Sequence, residues 1–273
     1  MSTESVRPET SIIIPLYNQL DYTRKCVDSI LADKNRPLLE LILVDNASYD
    51  GTHEYLDEVL RKHSNNPTLS WKIIRNETNL GVAPAWNQGL KAATTNELFV
   101  INNDILATNS WIQGIRTGLK KHHLAIACPY SINGPLNYEL ELRAGRFTAR
   151  NYNRVWNDYS FCAFFMPRKT LEKIGLFDEN FKVGGYEDTD YCYRLKKEGL
   201  TFGIVGSSFI HHFGSITLGE FKKTGDKHVS GNRNYFIQKW GEDPSAKEKT
   251  LLDKLFKRSH KLIRKFKMKY DWM

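Results

Sequence analysis

The sequence predicts an α/β fold, a single mostly parallel twisted sheet flanked by helices, with a basic amphipathic helix at the C-terminus. Three observations point to it. Short apolar runs alternate with helical stretches through the first hundred residues, each run stops at a polar, turn-prone cluster, and the positive charge of the 273-residue chain gathers at its end.

Ser11-Ile-Ile-Ile-Pro15 is the first apolar run; it ends at Tyr17-Asn18, and residues 21–32 read as a helix. Residues 39–44 form a run of the kind carried by a strand covered on both faces. It ends in Asp45-Asn46-Ala47-Ser48-Tyr49-Asp50-Gly51, and a helix follows to about residue 62. Residues 71–74 are a third strand. Asn79-Leu80-Gly81 precedes a helix over 82–93, with Pro84 tolerated in its first turn. Residues 97–101 make the fourth strand, stopped by Asn102-Asn103-Asp104. Residues 109–150 are less regular, and 133–150 read as an extended loop or hairpin. Beyond them come a strand over 160–166, a short helix after Pro167, a helix over 188–197, and short strands over 202–205 and 208–212. The chain thus divides into a polar leader (1–10), a main domain (11–220) with halves meeting near residue 105, and a C-terminal extension (221–273).

Composition bounds the rest. With 41% apolar and 26% charged residues the chain is an ordinary folded protein. It has no run of about 18 apolar residues to span a membrane, and its start lacks the regions of a signal peptide, so a cytoplasmic protein is expected. Cys26, Cys128, Cys162 and Cys192 form no C-x-x-C pair and read as reduced, mostly buried thiols. Seven of the eight net positive charges lie in residues 246–273, which hold ten Lys/Arg and three acids. A charge so confined argues against nucleic-acid binding by the body of the protein. Leu252, Leu255, Phe256, Leu262, Ile263, Phe266 and Tyr270 recur there at helical spacing. Two readings stand: adsorption through 246–270 to an anionic cytoplasmic leaflet, peripheral to the membrane, or a terminal helix packed on the domain with a solvated charged face.

No P-loop, no G-x-G-x-x-G after the first strand and no H-E-x-x-H is present. What remains is an acidic and amide-rich set: Asp45, Asn103 and Asp104, then Glu187-Asp188-Thr189-Asp190, then His211-His212. Open α/β sheets bind ligands beyond the carboxyl ends of their strands, where the first of these clusters fall. Oxygen ligands with an optional imidazole suit Mg²⁺ or Mn²⁺, which bind diphosphates while keeping several waters. The chemistry suggested is transfer from a nucleotide diphosphate. Structural roles compete for the same residues: Asp50 suits a cap on the helix that follows it, Asp188 and Asp190 suit a helix's first turn, and Asp190 suits a pair with Arg194. Trp156 suits either an acceptor sugar or packing under a loop, and His122-His123 reads as surface.

The ordered motifs Ser11-Ile-Ile-Ile-Pro-Leu-Tyr-Asn18, Val44-Asp-Asn-Ala-Ser-Tyr-Asp-Gly-Thr52, Asn79-Leu-Gly-Val-Ala-Pro-Ala-Trp-Asn87, Asn102-Asn-Asp104 and Gly185-Tyr-Glu-Asp-Thr-Asp-Tyr-Cys-Tyr-Arg194 resemble those of the family 2 inverting glycosyltransferases. The resemblance implies the Rossmann-like GT-A fold, with residues 11–105 as the nucleotide-sugar half and 106–220 as the acceptor half. It implies that Asp45 meets the nucleobase, within a donor pocket of Pro15, Tyr17, Asn18, Asn46, Asn79, Asn87, Asn102 and Asn103. Asp104 becomes the metal-ligand end of a D-x-D position whose first Asp is replaced by Asn102. Asp188, beside Glu187, becomes the general base, and His211 or His212, with His212 preferred, touches the diphosphate or the metal. The function implied is transfer of one hexosyl or deoxyhexosyl unit from a nucleotide-diphosphate sugar, UDP or dTDP favoured, to a glycan or lipid-linked glycan acceptor at the cell surface, assisted by Mg²⁺ or Mn²⁺. Two other functions compete: a sugar nucleotidyltransferase, and a non-catalytic membrane or nucleic-acid module driven by the tail.

Overall fold

The computed structural model describes residues 7–63, 66, 68–214 and 228–243. The basic stretch 246–270, and with it the expected amphipathic helix, lies outside the described residues.

Four strands form the parallel half of the sheet: β1 (Thr10–Leu16), β2 (Leu39–Asp45), β3 (Leu69–Arg75) and β4 (Glu97–Ile101). Helices α1 (Leu20–Ala32), α2 (Thr52–His63) and α3 (Val82–Ala92) connect them. All seven residues of β2 are buried, as its apolar run requires. Alternate residues feed opposite faces: Ile12, Ile14, Leu41 and Leu43 join one core cluster, and Ile13, Ile42 and Val44 the other. Glu40 interrupts β2 yet is satisfied: it accepts from Ser11, from Thr94 and from Lys72 at 2.7 Å. Burial alone would raise its carboxyl, and these partners outweigh burial and lower it.

The second half contains β5 (Ile105–Ala107), α4 (Trp111–Lys121), β6 (Ile126–Asn133), α5 (Leu140–Asn151), β7 (Val155–Trp156), β8 (Ala163–Pro167), α6 (Arg168–Ile174), α7 (Glu187–Lys197) and β9 (Phe202–His212). The strand order is β3-β2-β1-β4-β8-β6-β9-β5, with β7 beside β9. β4 and β8 pair antiparallel, and so do β6 and β8, while β6 and β9 are parallel. The carboxyl ends of β1, β2, β4, β6 and β9 therefore share one edge. A further helix, α8 (His228–Trp240), follows.

Two expectations from sequence are corrected. Residues 133–150 are not an extended loop or hairpin: after a short connection they form α5, and the less regular stretch before them holds α4 and β6. In α4 the glycines that weaken a helical reading are packing devices: a Cβ at Gly114 would stand 2.1 Å from the Ser207 carbonyl oxygen, and one at Gly118 2.5 Å from Val205. In α5 only Ala144 is fully buried; Leu140 and Phe147 share its face and are half-buried, so the apolar stripe is short, and Gly145 and the exposed Leu142 interrupt it. The two short strands near the end are one strand, β9, whose register against β6 jumps from Val205 to Phe209 across a bulge. All four cysteines are free and buried, and burial pushes the thiols of Cys26, Cys128 and Cys192 upward. Among the described residues no helix is long and apolar enough to cross a membrane.

Candidate active site

A cavity of about 370 Å³ opens at the carboxyl edge of the sheet. Its walls come from the ends of β1, β2, β4, β6 and β9, the start of α3, the turn before β8 and the start of α7.

The wall from β1 to α3 is built of amides. Asn18 and Gln19, at φ 55° and 64°, turn the chain sharply after β1. The Asn18 side chain accepts the Tyr49 N–H, and its own N–H donates to Ser48, which ties this turn to the loop after β2. Asp50 accepts the Leu20 N–H at 2.9 Å, so it caps α1, across the loop, as well as accepting from Thr52. Asn46 is saturated: it donates to Asn79 and to the Gly81 carbonyl, and accepts from Asn76 and from the Leu80 N–H. Asn76 and Gln88 exchange two further bonds. Nothing in this network of amides changes charge with pH.

The wall facing α7 is acidic. A three-residue turn from Lys182 to Gly184, closed by a 2.7 Å N–H to carbonyl bond, puts Val183 at φ 60°, and Tyr186 follows at φ 77°. Left-handed backbone at such bulky residues costs on the order of 1–3 kcal/mol each. Glu187 and Asp188 open α7 directly after this turn, at the helix end where the dipole favours acids. Burial first, and then the neighbouring Asp188 charge, push the Glu187 carboxyl up to about 7. Its Oε2 is buried without a hydrogen-bond partner. Burial also raises Asp188, against the Thr189 N–H and hydroxyl, which donate to Oδ1 at 2.6 and 3.2 Å and favour the ionised form. Asp190 turns the other way, to Arg194 at 3.0 Å, as its i+4 spacing anticipates, and to Trp240.

Asp104 and His212 meet at the third wall, Oδ1 and Nε2 3.1 Å apart. Burial would lower His212, and the Asp104 carboxylate and Cys162 outweigh it and raise it to about 10. Nδ1 of His212 lies 3.3 Å from the Asn133 side-chain oxygen. Among the described residues no cluster of three or more His, Cys, Asp or Glu offers a complete metal cage. One carboxylate and one imidazole do fit Mg²⁺ or Mn²⁺ where a diphosphate and water complete the shell.

Of the residues singled out from sequence, Pro15, Tyr17, Asn46, Asn79, Asn102 and Asn103 line the cavity, and so do Asp104, Glu187, Asp188 and His212. Four do not. Asp45 is fully buried; Oδ1 accepts the Ser48 N–H and Oδ2 lies 2.7 Å from His53, so the carboxylate closes its own loop. Asn18 stitches two loops, as above. Asn87 joins α3 to the Phe177–Glu179 segment through three bonds. His211, one residue from His212 and so on the opposite face of β9, bonds the Tyr138 hydroxyl at 2.7 Å. Trp156 packs with Tyr130 and Phe147. Sequence reasoning missed Asn133, Ser160, Cys162 and Val183, which also line the cavity. The Gly184-Gly185 doublet ahead of α7 was the one available sign of a special turn there.

A family model described as Glycosyl transferase family 2 matches residues 11–175. The chain is 24% identical over 269 residues to polypeptide N-acetylgalactosaminyltransferase 3 of Mus musculus, which covers 86% of this chain and 41% of that protein. It is 27% identical over 211 residues to the minor teichoic acid biosynthesis protein GgaA of Bacillus subtilis (strain 168), covering 71% of this chain and 45% of that one. The chain thus spans less than half the length of these relatives. Its fold is similar to that of the mannosyltransferase PcManGT from Pyrobaculum calidifontis in complex with GDP-Man and Mn²⁺, with TM-score 0.62 and 18% identity over 88% of this chain and 67% of that one. It is also similar to GalNAc-T7 with UDP, GalNAc and Mn²⁺, with TM-score 0.61 and 18% identity over 75% of this chain and 43% of that one. These likenesses identify the fold as GT-A.

Proposed function

Because the chain belongs to glycosyl transferase family 2, we propose that it moves one sugar from a nucleotide-diphosphate sugar to a hydroxyl of a surface glycan or glycolipid, with inversion at the anomeric carbon. The observation that carries this reading is a single cavity that holds Asp104 and His212 on one wall and Asp188 on another.

Asp188 is half-buried, faces the cavity and has its carboxylate held by Thr189. It takes the proton of the acceptor hydroxyl while that oxygen forms its bond to the anomeric carbon. The bond from that carbon to the diphosphate breaks on the opposite side, and its electron pair leaves with the diphosphate. A positioned base of this kind contributes about 10²–10⁴-fold in rate. Glu187, neutral below a pH of about 7, limits the negative charge next to the base. Asn102, at the wall, suits a hydrogen bond to a ribose hydroxyl. Asp104 and His212 would hold the divalent cation, which when bound supplies positive charge for the departing diphosphate. The Mn²⁺ named with both structural neighbours, with UDP and GalNAc in one and GDP-Man in the other, supports both the donor class and a divalent metal.

The preference for UDP or dTDP rests on Asp45, whose carboxylate is turned towards Ser48 and His53, while the neighbours carry UDP in one case and GDP-Man in another. A glycan acceptor is supported by the likeness to GgaA, and a peptide hydroxyl is a second reading favoured by the likeness to the polypeptide transferase. The basic residues 246–270 support attachment to an anionic cytoplasmic leaflet. Deleting residues 245–273 then abolishes sedimentation with anionic vesicles; equal sedimentation defeats that part of the proposal.

The test of the donor is thermal unfolding with UDP, dTDP, GDP and their common sugars, with and without Mn²⁺, on the wild type and Asp104→Ala. A ligand at 100 times its Kd stabilises by about 2.7 kcal/mol. One nucleotide is expected to raise Tm by several degrees only with Mn²⁺, and not in the variant. No shift with any of them overturns the donor assignment.

A further inference from the structure

We propose that Asn232, on α8, is a positioning residue for sugar transfer: its carboxamide holds the turn that sets Val183 and Asp188 against the cavity. The inference rests on the reading of Asp188 as the acceptor base. Asn232 lies beyond the residues matched by the family model and beyond every motif of the sequence, and it does not line the cavity.

Asn232 is 3% exposed, and both ends of its side chain are used. Oδ1 accepts the Lys182 N–H at 2.9 Å; Nδ2 donates to the carbonyls of Lys182 and Gly185, both at 2.9 Å, and more weakly to that of Gly184 at 3.3 Å. These backbone groups need a side chain, because Val183, Gly185 and Tyr186 all have positive φ, which keeps the turn out of a regular ladder. From the other side the turn is gripped by α3, where the Val82 N–H donates to the Val183 carbonyl at 2.9 Å. The Tyr186 carbonyl then accepts the Asp190 N–H and starts α7 with Glu187 and Asp188 in its first turn.

α8 is itself anchored to the same region. Lys239 lies 2.6 Å from Asp178 and 2.7 Å from Asp190, Trp240 donates to Asp190 at 2.8 Å, and the Phe236 ring packs near Tyr186 and Tyr193. Asn232, Phe236 and Trp240 recur at i, i+4 and i+8 on one face of the helix. The strained turn is therefore clamped between two helices, and the base inherits its position from that clamp. The strain persists because the surroundings over-determine it.

The test uses the full chain with Asn232→Ala, the isosteric Asn232→Asp, and Ile115→Val on the buried face of α4 as a stability control. Three quantities are measured: amide hydrogen exchange over residues 181–190, binding of UDP with Mn²⁺, and steady-state transfer from the nucleotide sugar that the donor panel selects. Both Asn232 variants are expected to exchange at least tenfold faster over 181–190, with the Kd for UDP and Mn²⁺ within twofold of the wild type. Their kcat is expected to fall ten- to a hundredfold at unchanged donor KM, while Ile115→Val keeps its kcat. Unchanged exchange over 181–190, or an equal loss of kcat in Ile115→Val, overturns the proposal. A wild-type chain that transfers no sugar defeats the function assigned to the cavity, and the exchange measurement still decides whether Asn232 holds the turn.

Discussion

On the β1 to α3 side of the cavity, Asn46 gives all its side-chain bonding capacity to Asn76, Asn79, Leu80 and Gly81, and no group in that network titrates. On the α7 side, Glu187 keeps a buried oxygen without a partner, its carboxyl stands near 7, and the turn before it carries two bulky residues in left-handed backbone. The first wall has the properties of a pre-formed binding surface, which loses little on receiving a ligand. The second holds Glu187 with its carboxyl raised to about 7 beside Asp188, which burial also raises, and it does so at a cost in stability. On the proposed function, binding and proton transfer would be separated by wall, with Gly81, beside the Val183 backbone, joining the two.

Substitutions can break this division. The largest effect is expected for Asp188→Asn, which should lower steady-state transfer by about 10²–10⁴-fold and leave the Mn²⁺-linked stabilisation by nucleotide intact. Loss of that stabilisation would mean that the acidic wall also binds the donor. Asn46→Ala strands the Leu80 N–H and one of the two Asn76 side-chain N–H groups, and should cost about 1–3 kcal/mol in urea unfolding, with weaker nucleotide binding. Gly81→Ala places a Cβ 3.1–3.2 Å from the Val183 backbone at a φ of 92°. It should destabilise by roughly 1–2 kcal/mol, and a neutral outcome would separate the two walls mechanically.

The smallest effect sharpens the contrast through pH. Glu187 titrates near 7 in the fold, above its ordinary value of about 4.3, so the folded state binds that proton more tightly than the unfolded chain does. Its favourable contribution is fully present below about pH 4 and is lost as pH rises through 7. Glu187→Gln removes this loss. The variant should melt a few degrees above the wild type at pH 8, a gain on the order of 1 kcal/mol, and match it near pH 4. Calorimetric melting across that range checks the sign.

Much of the parallel half was legible because a strand covered on both faces must be an unbroken apolar run, and β1, β2 and β4 end at polar punctuation. α4 and α5 were not legible, since the glycines that let α4 approach β9 read as weak helix, and α5 offers only the short stripe of Leu140, Ala144 and Phe147. Within the site the difficulty was chemical degeneracy. An Asn or Asp after a strand serves equally to line a cavity or to close its own loop; Asn46 lines the cavity while bonding the α3 loop, and Asp45, adjacent in sequence, only closes its own. His211 and His212 differ only by the alternation of a strand, which the bulge in β9 conceals from sequence. Asn232 gave no signal at all, because a lone Asn in a polar helix reads as surface.

The most direct test of the division between walls is amide hydrogen exchange of the full chain with and without saturating UDP and Mn²⁺. The account predicts added protection over residues 76–86 and 100–106, with residues 187–190 exchanging as in the free protein. Protection centred on 187–190, with 76–86 unchanged, would contradict it and make the acidic wall the binding surface.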